Sequence, residues 1–308
     1  MDKLFYFKDR DGHYIIGLLG LVQISIKHKS NYKYKPASSY GVTTEKRNPQ
    51  LIVSLTSFPK RINYVVYTIN TLLQQTLKPD RIVLWLADSQ FPNKEDELPA
   101  ELLKLRDFGL EIKWCEDLRS YKKLIPSLKE YPNDIIVTCD DDLYYEENWL
   151  EKLYNAYLKN PEYIHIHRTC RMIYNDGVIT RYSQRKAIML HFPEPSYFNS
   201  VFGAGGCLYP PHSLSDEVFN IENIDKTVGF HDDFWFWGMA VLKGTKICEV
   251  DGPKSNFKII DGTVESSLYK EHSNDDIIGK YYKLFEVYPL IKERLEEEKL
   301  QEKSIIKN

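Results

Sequence analysis

Between residues 51 and 158 the pattern of hydrophobic and polar positions switches between two periods. Short runs rich in Val, Ile and Leu are typical of strands buried on both faces of a parallel sheet; they occupy 51–56, 81–86, 110–114 and 135–137. The intervening segments carry apolar residues at helical spacing, in 65–75, 98–105, 118–128 and 149–158. This alternation predicts an α/β fold with a mostly parallel, doubly wound sheet flanked by helices and right-handed crossovers.

The flanking segments follow other patterns. Residues 5–7 and 13–16 surround an Asp-Gly turn and predict a hairpin, which a basic stretch, 27–35, joins to the main domain. Period-two alternation at 164–167 and 178–182 predicts antiparallel additions in the C-terminal half, and the charged segment 292–303 predicts a helix. We therefore divide the chain into an appendage with its basic linker, a main domain and a charged tail, at 1–48, 49–285 and 286–308.

Composition narrows the class of protein. The chain has 308 residues, of which 43% are hydrophobic and 28% charged, as is typical of a soluble globular protein. A net charge of −3 without a long basic tract gives no general attraction to nucleic acid. The five cysteines are odd in number and far apart, which argues against a disulfide framework or a zinc site and favours a reducing compartment.

The N-terminal sequence predicts where the protein is found. It lacks the uninterrupted apolar core of a signal peptide, and its longest apolar run, 14–24, is too short to span a bilayer. We expect a cytoplasmic protein. The basic stretch 27–35 is either a solvated linker or a contact with the anionic inner face of the plasma membrane, which would make the association peripheral.

The strongest chemical signal is the run Asp140-Asp141-Asp142, directly after the strand 135–137. Ligands of open α/β sheets bind at the carboxyl ends of strands. Adjacent anions repel one another, and a hard divalent cation such as Mg²⁺ or Mn²⁺ would neutralise them. The run therefore predicts a metal site, and a solvated acidic loop is the alternative.

A second acidic pair, Asp232-Asp233, is flanked by His231 and by two tryptophans. A carboxylate partly desolvated by aromatic rings has the raised basicity that a general base needs. In a strand, Trp235 and Trp237 would share one face and could stack on an acceptor sugar. The alternative is a helix that begins at this pair, with Asp232 as its cap and both tryptophans in the core.

Four segments, taken in order, resemble GT-A-fold glycosyltransferases. They are Ser54-Leu55-Thr56-Ser57-Phe58-Pro59-Lys60-Arg61, the aspartate run as a DxD element, Gly203-Ala204-Gly205-Gly206, and His231-Asp232-Asp233-Phe234-Trp235-Phe236-Trp237. The chain is similar, over residues 50–285, to bacterial family-2-like enzymes that build capsule or lipopolysaccharide. The resemblance implies a GT-A fold with a nucleotide-binding half, 49–158, and an acceptor half, 159–285. It also implies a hexosyltransferase that moves sugar from a nucleotide-sugar, first of all a UDP-sugar, to a saccharide or lipid-linked acceptor with inversion.

The resemblance also implies roles for individual residues. As ligands of the metal, Mn²⁺ or Mg²⁺, it implies Asp142 and Asp140, with His272 as a third ligand and Asp141 as an accessory. For catalysis it implies Asp233 as the base and Asp232 as the residue that orients it. For the nucleotide-sugar it implies base, ribose, phosphate or sugar contacts by Thr56, Ser57, Arg61, Asp88, Lys123, Asp140, Asp141 and Gly205. Four of these have other interpretations. Ser57 could cap a helix, and Lys122-Lys123 could be a solvated pair. Gly205 could belong to a tight turn before Pro210-Pro211, and His272 could be a structural histidine.

Two other functions remain open on the sequence. One is a different metal-dependent enzyme acting on nucleotides, such as a nucleotidyltransferase, although the Gly/Arg/Lys-rich phosphate loop of that class is not evident after the first strand. The other is a non-catalytic carbohydrate-binding protein, which would bind saccharide without nucleotide or metal.

Overall fold

The computed structural model describes residues 5–10, 13–18, 22–27, 35–45, 47–175, 178–181, 192–250, 257–264 and 277–306. Their strands are β1 Phe5–Arg10, β2 His13–Leu18, β3 Val22–Lys27, β4 Leu51–Thr56, β5 Arg81–Ala87, β6 Leu110–Cys115, β7 Ile135–Thr138, β8 Leu143–Tyr144, β9 Ile164–Ile166, β10 Thr169–Asn175, β11 Val178–Arg181, β12 Asn199–Val201, β13 Cys207–Tyr209, β14 Ile247–Glu249 and β15 Lys258–Ile259. Their α-helices are α1 Val65–Leu73, α2 Ala100–Lys104, α3 Ile125–Glu130, α4 Trp149–Lys159, α5 Ile221–Thr227, α6 Asp232–Lys243, α7 Ile277–Val287 and α8 Pro289–Ile306.

A seven-stranded sheet organises the domain, in the order β14-β9-β13-β7-β4-β5-β6. Strands β7, β4, β5 and β6 are parallel to one another, and β13 enters antiparallel between β7 and β9. The predicted mostly parallel α/β sheet is thereby confirmed. The predicted antiparallel additions are also present, as β13 and the small sheet β11-β10-β12.

The sheet is buried on both faces, as its continuous apolar strands predict. In β4, Ile52 packs into one hydrophobic cluster and its neighbour Val53 into the other, because successive side chains of a strand point to opposite faces. One cluster contains apolar residues of α3, α6, α7 and α8, and the other contains those of α1, α2 and α4. The carboxyl ends of β4, β5 and β7 thus emerge at one edge between two packed layers.

The two ends of the chain have local structure of their own. The predicted hairpin is present as β1 and β2, and β3 adds a third antiparallel strand. At the other end α7 runs across the division that we placed at 285/286, and Ile291 and Leu295 of α8 are fully buried. The division into domains stays a prediction. Among the described residues no helix has the length and apolar character required to cross a membrane.

Gly206 is the last residue of the glycine-rich loop, Gly203-Ala204-Gly205-Gly206, and packs against the first residue of α4. Its φ of +98° lies in the left-handed region, and a Cβ at this position would come within 2.4 Å of the Trp149 ring. Trp149 Nε1 also donates a hydrogen bond to the carbonyl of Gly205 at 2.8 Å. Glycine at 206 therefore lets the loop lie directly on the tryptophan that anchors α4.

We expect Gly206→Ala to lower the free energy of unfolding by about 2–4 kcal/mol, as left-handed strain adds to overpacking. Gly229→Ala is the matched control, since Gly229 also has a positive φ, +62°, but the nearest atom to an added Cβ is 3.9 Å away. That variant should lose only about 1–2 kcal/mol. Denaturant unfolding of the two proteins measures the difference, and equal losses would show that contact with Trp149 is not the source.

Candidate active site

Five carboxylates meet at the carboxyl edge of the sheet. Asp140, Asp141 and Asp142 follow β7, and Asp232 and Asp233 form the first turn of α6. We call these five residues the aspartate cluster. Arg61 and Lys123 form ion pairs with its members.

Asp141 is held by the loop after β4. Ser57 Oγ donates a hydrogen bond to one carboxylate oxygen at 2.5 Å, and Arg61 Nη1 donates to the other at 2.8 Å. The same nitrogen lies 3.0 Å from Asp142 Oδ2. Burial raises the pKa of Asp141, and the contacts with Arg61 and Ser57 offset part of that rise. Because both its oxygens already have partners and the side chain is buried, Asp141 serves to order the loop.

Asp140 and Asp142 keep more contact with solvent, with side chains 29% and 19% exposed. The backbone N–H of Asp140 donates to Tyr145 Oη at 2.9 Å, and its Oδ1 lies 3.0 Å from Lys123 Nζ. Burial and the charge of Asp140 raise the pKa of Asp142 to about 7, although Arg61 opposes the rise. A carboxyl whose pKa is raised in this way is desolvated and lies beside other negative charge.

The donor set fits a divalent cation. Within the described residues no three Asp, Glu, His or Cys side chains converge to enclose a metal. Mg²⁺-type sites in enzymes of phosphate substrates instead use one or two carboxylates, and substrate phosphates complete the coordination. The part-exposed Asp140 and Asp142 could supply those carboxylates. His272 lies outside the described residues.

Asp233 lies at the N-terminus of α6 against the glycine-rich loop. The backbone N–H of Gly203 lies 3.1 Å from both carboxylate oxygens of Asp233. A Cβ at Gly203 would come within 2.7 Å of that carboxylate, so glycine is required for this approach. Desolvation and the charge of Asp232 raise the pKa of Asp233 to about 7, which the ammonium of Lys123 partly opposes. A half-buried carboxyl with this pKa can exchange a proton near neutral pH.

The prediction that Trp235 and Trp237 contact an acceptor is wrong. The segment is helical, and both rings are fully buried, which leaves no exposed face to stack on a sugar. Their Nε1 groups donate to the carbonyls of Val218 and Tyr197, at 3.1 and 2.8 Å. The alternative with a helix and core tryptophans is confirmed, except that the capping residue is His231, which makes no side-chain cap.

Thr56, Asp88 and Gly205 are the remaining predicted residues among those that the structure describes. Thr56 Oγ1 donates to the Trp85 carbonyl at 2.8 Å, at the end of β4. Asp88 is exposed after β5 and pairs with Lys94. Gly205 is buried in the glycine-rich loop. Their contacts with a donor stay predictions.

Two alternatives from the sequence are wrong. Ser57 does not cap a helix, since α1 begins at Val65 after Tyr64. Lys122 and Lys123 are not a solvated pair, because both are buried. Lys122 Nζ lies 2.5 Å from Asp117, and Lys123 Nζ lies 2.9 Å from Asp232 and 3.0 Å from Asp140.

The structure adds site residues that the sequence reasoning missed. Gly203 and Tyr145 bind members of the cluster, and Ile260 donates its backbone N–H to the Asp142 carbonyl at 2.8 Å. The sequence does contain signals for two of them, since Gly203 opens the glycine-rich segment and Tyr145 follows shortly after the aspartate run. Nothing local indicates Ile260, since its contact is made by strand β15 pairing with β8.

A protein-family model matches about half of this chain. The sequence model described as "Glycosyl transferase family 2" matches residues 57–214. No curated protein sequence matches the chain. Among solved structures, S. aureus TarS 1-349 in complex with UDP-GlcNAc is similar at 15% identity and a TM-score of 0.48, over 71% of this chain and 61% of that one. Another structure of S. aureus TarS 1-349 is 14% identical with a TM-score of 0.46, over 68% of this chain and 60% of that one.

A further solved structure is that of GalNAc-T7 with UDP, GalNAc and Mn²⁺. It is 12% identical with a TM-score of 0.44, over 70% of this chain and 44% of that chain. The chain thus spans about three fifths of the TarS structures and less than half of GalNAc-T7.

The raised pKa of Asp233 predicts how stability varies with pH. Between about pH 4 and pH 7 the folded state retains a proton that an unfolded carboxyl, with a pKa of about 3.9, has released, so wild-type stability falls as the pH rises. Asp233→Asn removes this term. We expect the variant to gain about 1–3 kcal/mol of unfolding free energy relative to wild type between pH 5 and pH 8.

Denaturant unfolding at the two pH values, with a chelator present, measures the gain. Asp225→Asn is the control, because it makes the same chemical change at a side chain that is 66% exposed and lies outside the aspartate cluster. If the difference between Asp233→Asn and wild type changes with pH no more than that of the control, the raised pKa is contradicted.

Proposed function

The chain belongs to glycosyl transferase family 2, a family of glycosyltransferases, and on that premise we propose a specific reaction for it. The protein transfers a sugar from a nucleotide-sugar, first of all a UDP-sugar, to a saccharide or lipid-linked saccharide, with the help of a divalent metal and with inversion. The acceptor belongs to cell-surface glycan assembly. The proposed location is the cytoplasm, with the basic stretch 27–35 as a peripheral contact with the membrane.

One observation carries the proposal. The aspartate cluster presents two kinds of carboxylate at one sheet edge, part-exposed Asp140 and Asp142 on one side and half-buried Asp233 on the other. Transfer from a nucleotide-sugar needs a cation that stabilises the negative charge of the departing diphosphate, and a base that accepts the proton of the acceptor hydroxyl. A purely saccharide-binding protein has no use for either.

Asp140 and Asp142 are the residues that would hold the metal, Mn²⁺ or Mg²⁺. A divalent cation bound there supplies a Lewis acid that stabilises the negative charge of a leaving nucleoside diphosphate. Arg61 and Ser57 fix Asp141, and through it the loop after β4 where nucleotide contacts by Thr56 and Asp88 are proposed. His272 stays a proposed third ligand.

Asp233 acts as the general base. Its carboxylate accepts the proton of the acceptor hydroxyl, and the N–H of Gly203, 3.1 Å from both oxygens, keeps it in place. A pKa of about 7 provides a base that is part-ionised at neutral pH and stronger than an ordinary carboxylate. Asp232, alongside it, orients the pair through its contact with Lys123.

Donor binding is the first test of this function. We expect UDP and UDP-sugars to raise the melting temperature only when Mn²⁺ or Mg²⁺ is present, by an amount that corresponds to about 2.7 kcal/mol at a hundred times the dissociation constant. Asp142→Ala should lose the metal-dependent shift and metal-dependent transfer, whereas Asp225→Ala should keep both. If no nucleotide shifts the wild-type protein at saturating metal, the proposal is wrong and the binding-protein alternative is favoured.

A second test separates the base from the donor site. Asp233→Asn should retain the donor-dependent thermal shift but reduce kcat by about 10²–10⁴-fold, the range expected for a lost general base. In the wild-type enzyme kcat/KM should rise with pH through about 7, because the base must be ionised. Wild-type turnover by Asp233→Asn, measured as release of UDP in the presence of acceptor, would rule out this role.

A further inference from the structure

Lys123 connects the two halves of the aspartate cluster. Its Nζ lies 3.0 Å from Asp140 Oδ1 and 2.9 Å from Asp232 Oδ2, and only 7% of the residue is exposed. Asp140 follows β7 in the centre of the sheet, whereas Asp232 begins α6 in the C-terminal half. A single buried ammonium therefore lies between a carboxylate on the proposed metal side and one beside the proposed base.

The backbone of Lys123 is fixed to the sheet. Ser54 Oγ on β4 donates a hydrogen bond to the Lys123 carbonyl at 2.7 Å and lies 2.8 Å from Ser127 Oγ of α3. At the other end of the side chain, an added Cβ at Gly203 would be 3.0 Å from Nζ. The ammonium is thus confined by residues of three separate segments and cannot move far without disturbing them.

The ammonium of Lys123 forms ion pairs with carboxylates on both sides of the cluster, Asp140 and Asp232. Without the ammonium, Asp140 and Asp232 would face each other as unpaired anions, and their repulsion would push the first turn of α6 outwards. Asp233 is in that turn, so its position depends on Lys123 as well as on the N–H of Gly203.

We propose that Lys123 is a positioning residue of the transfer reaction, which couples the metal-side carboxylate Asp140 to the acceptor-side pair Asp232-Asp233. The inference rests on the proposed function. It assigns to this lysine a role within the protein instead of the phosphate contact that the family resemblance implied. Lys123 acts through the carboxylates that it holds and is not itself a catalytic residue.

This role predicts opposite changes in metal affinity and kcat, which a loss of stability alone would not produce. Removing the positive charge beside Asp140 makes the proposed metal side more negative, and the affinity for a divalent cation should rise. The same change lets Asp233 move from its position, and kcat should fall. A purely structural defect would weaken metal binding and turnover together.

The adjacent lysine offers a matched control. Lys122 belongs to the same 3₁₀ turn, Arg119–Lys123, and is 2% exposed, but it pairs with Asp117 outside the cluster. Lys122→Met and Lys123→Met make the same chemical change at neighbouring buried sites. Lys123→Arg keeps the positive charge and serves as the conservative variant.

The experiment measures Mn²⁺ affinity by calorimetry, kcat and KM for transfer, and unfolding free energy for each variant. For Lys123→Met we expect about fivefold tighter Mn²⁺ binding and about a hundredfold lower kcat, as a displacement of order 1 Å costs in well-aligned sites. Lys122→Met should change both within about threefold, whatever its loss of stability. Lys123→Arg should bind Mn²⁺ like wild type and recover kcat to within about tenfold of it.

Two outcomes would overturn the inference and are distinct from failure of the proposed function. If Lys123→Met resembles Lys122→Met in Mn²⁺ affinity and kcat while the wild type transfers sugar, Lys123 does not couple the two sides, and the proposed function survives. If Lys123→Met does not fold, a Lys123→Arg protein with weakened Mn²⁺ binding and lowered kcat in parallel shows a structural role. If the wild type neither binds UDP with Mn²⁺ nor transfers sugar, the proposed function fails as well.

Discussion

The balance of charge in the aspartate cluster is the constraint on which the rest of the site depends. Five carboxylates meet at one sheet edge, and Arg61 and Lys123 are the cations in ion-pair contact with them among the described residues. Burial, together with repulsion from neighbouring carboxylates, raises the pKa of both Asp142 and Asp233 to about 7. Stability is thus reduced where chemistry is proposed, as is common at functional sites.

This constraint accounts for the residues next to the cluster. Glycine is needed at 203 because the backbone N–H must reach the Asp233 carboxylate, and Ser57 and Arg61 are needed because Asp141 is buried. Each of these contacts joins segments that are distant in the chain but adjacent at the carboxyl edge of the parallel strands. The fold therefore supplies the proximity, and the side chains supply the partial neutralisation.

The sequence predicted the features of the fold and of the site that depend on a local pattern of residues. Strands β4, β5, β6 and β7 and the position of the aspartate run follow from short apolar runs and the residues that end them. The tryptophans show the limit, because Trp-x-Trp fits a strand face as well as a helix buried on all sides. Which of these forms is decided by partners such as Val218 and Tyr197, which are far away in sequence. For the same reason Lys122 and Lys123 gave no sign that they face different acids.

If the proposed function holds, the same charge balance determines the order in which ligands bind. A nucleoside diphosphate is an anion, and the cluster with its excess of carboxylates repels it. The donor must therefore arrive with a divalent cation or after one, and the added positive charge near Asp140 and Asp142 would lower the pKa of Asp142 towards its ordinary range. Asp233 also senses the charge of Asp140, so a cation bound there lowers its pKa in the same direction, but burial, the largest cause of its raised pKa, is unaffected and preserves part of its basicity. Two carboxylate sites within one cluster can thus perform opposite tasks because Asp140 and Asp142 are partly open to solvent, whereas Asp233 lies against the glycine-rich loop.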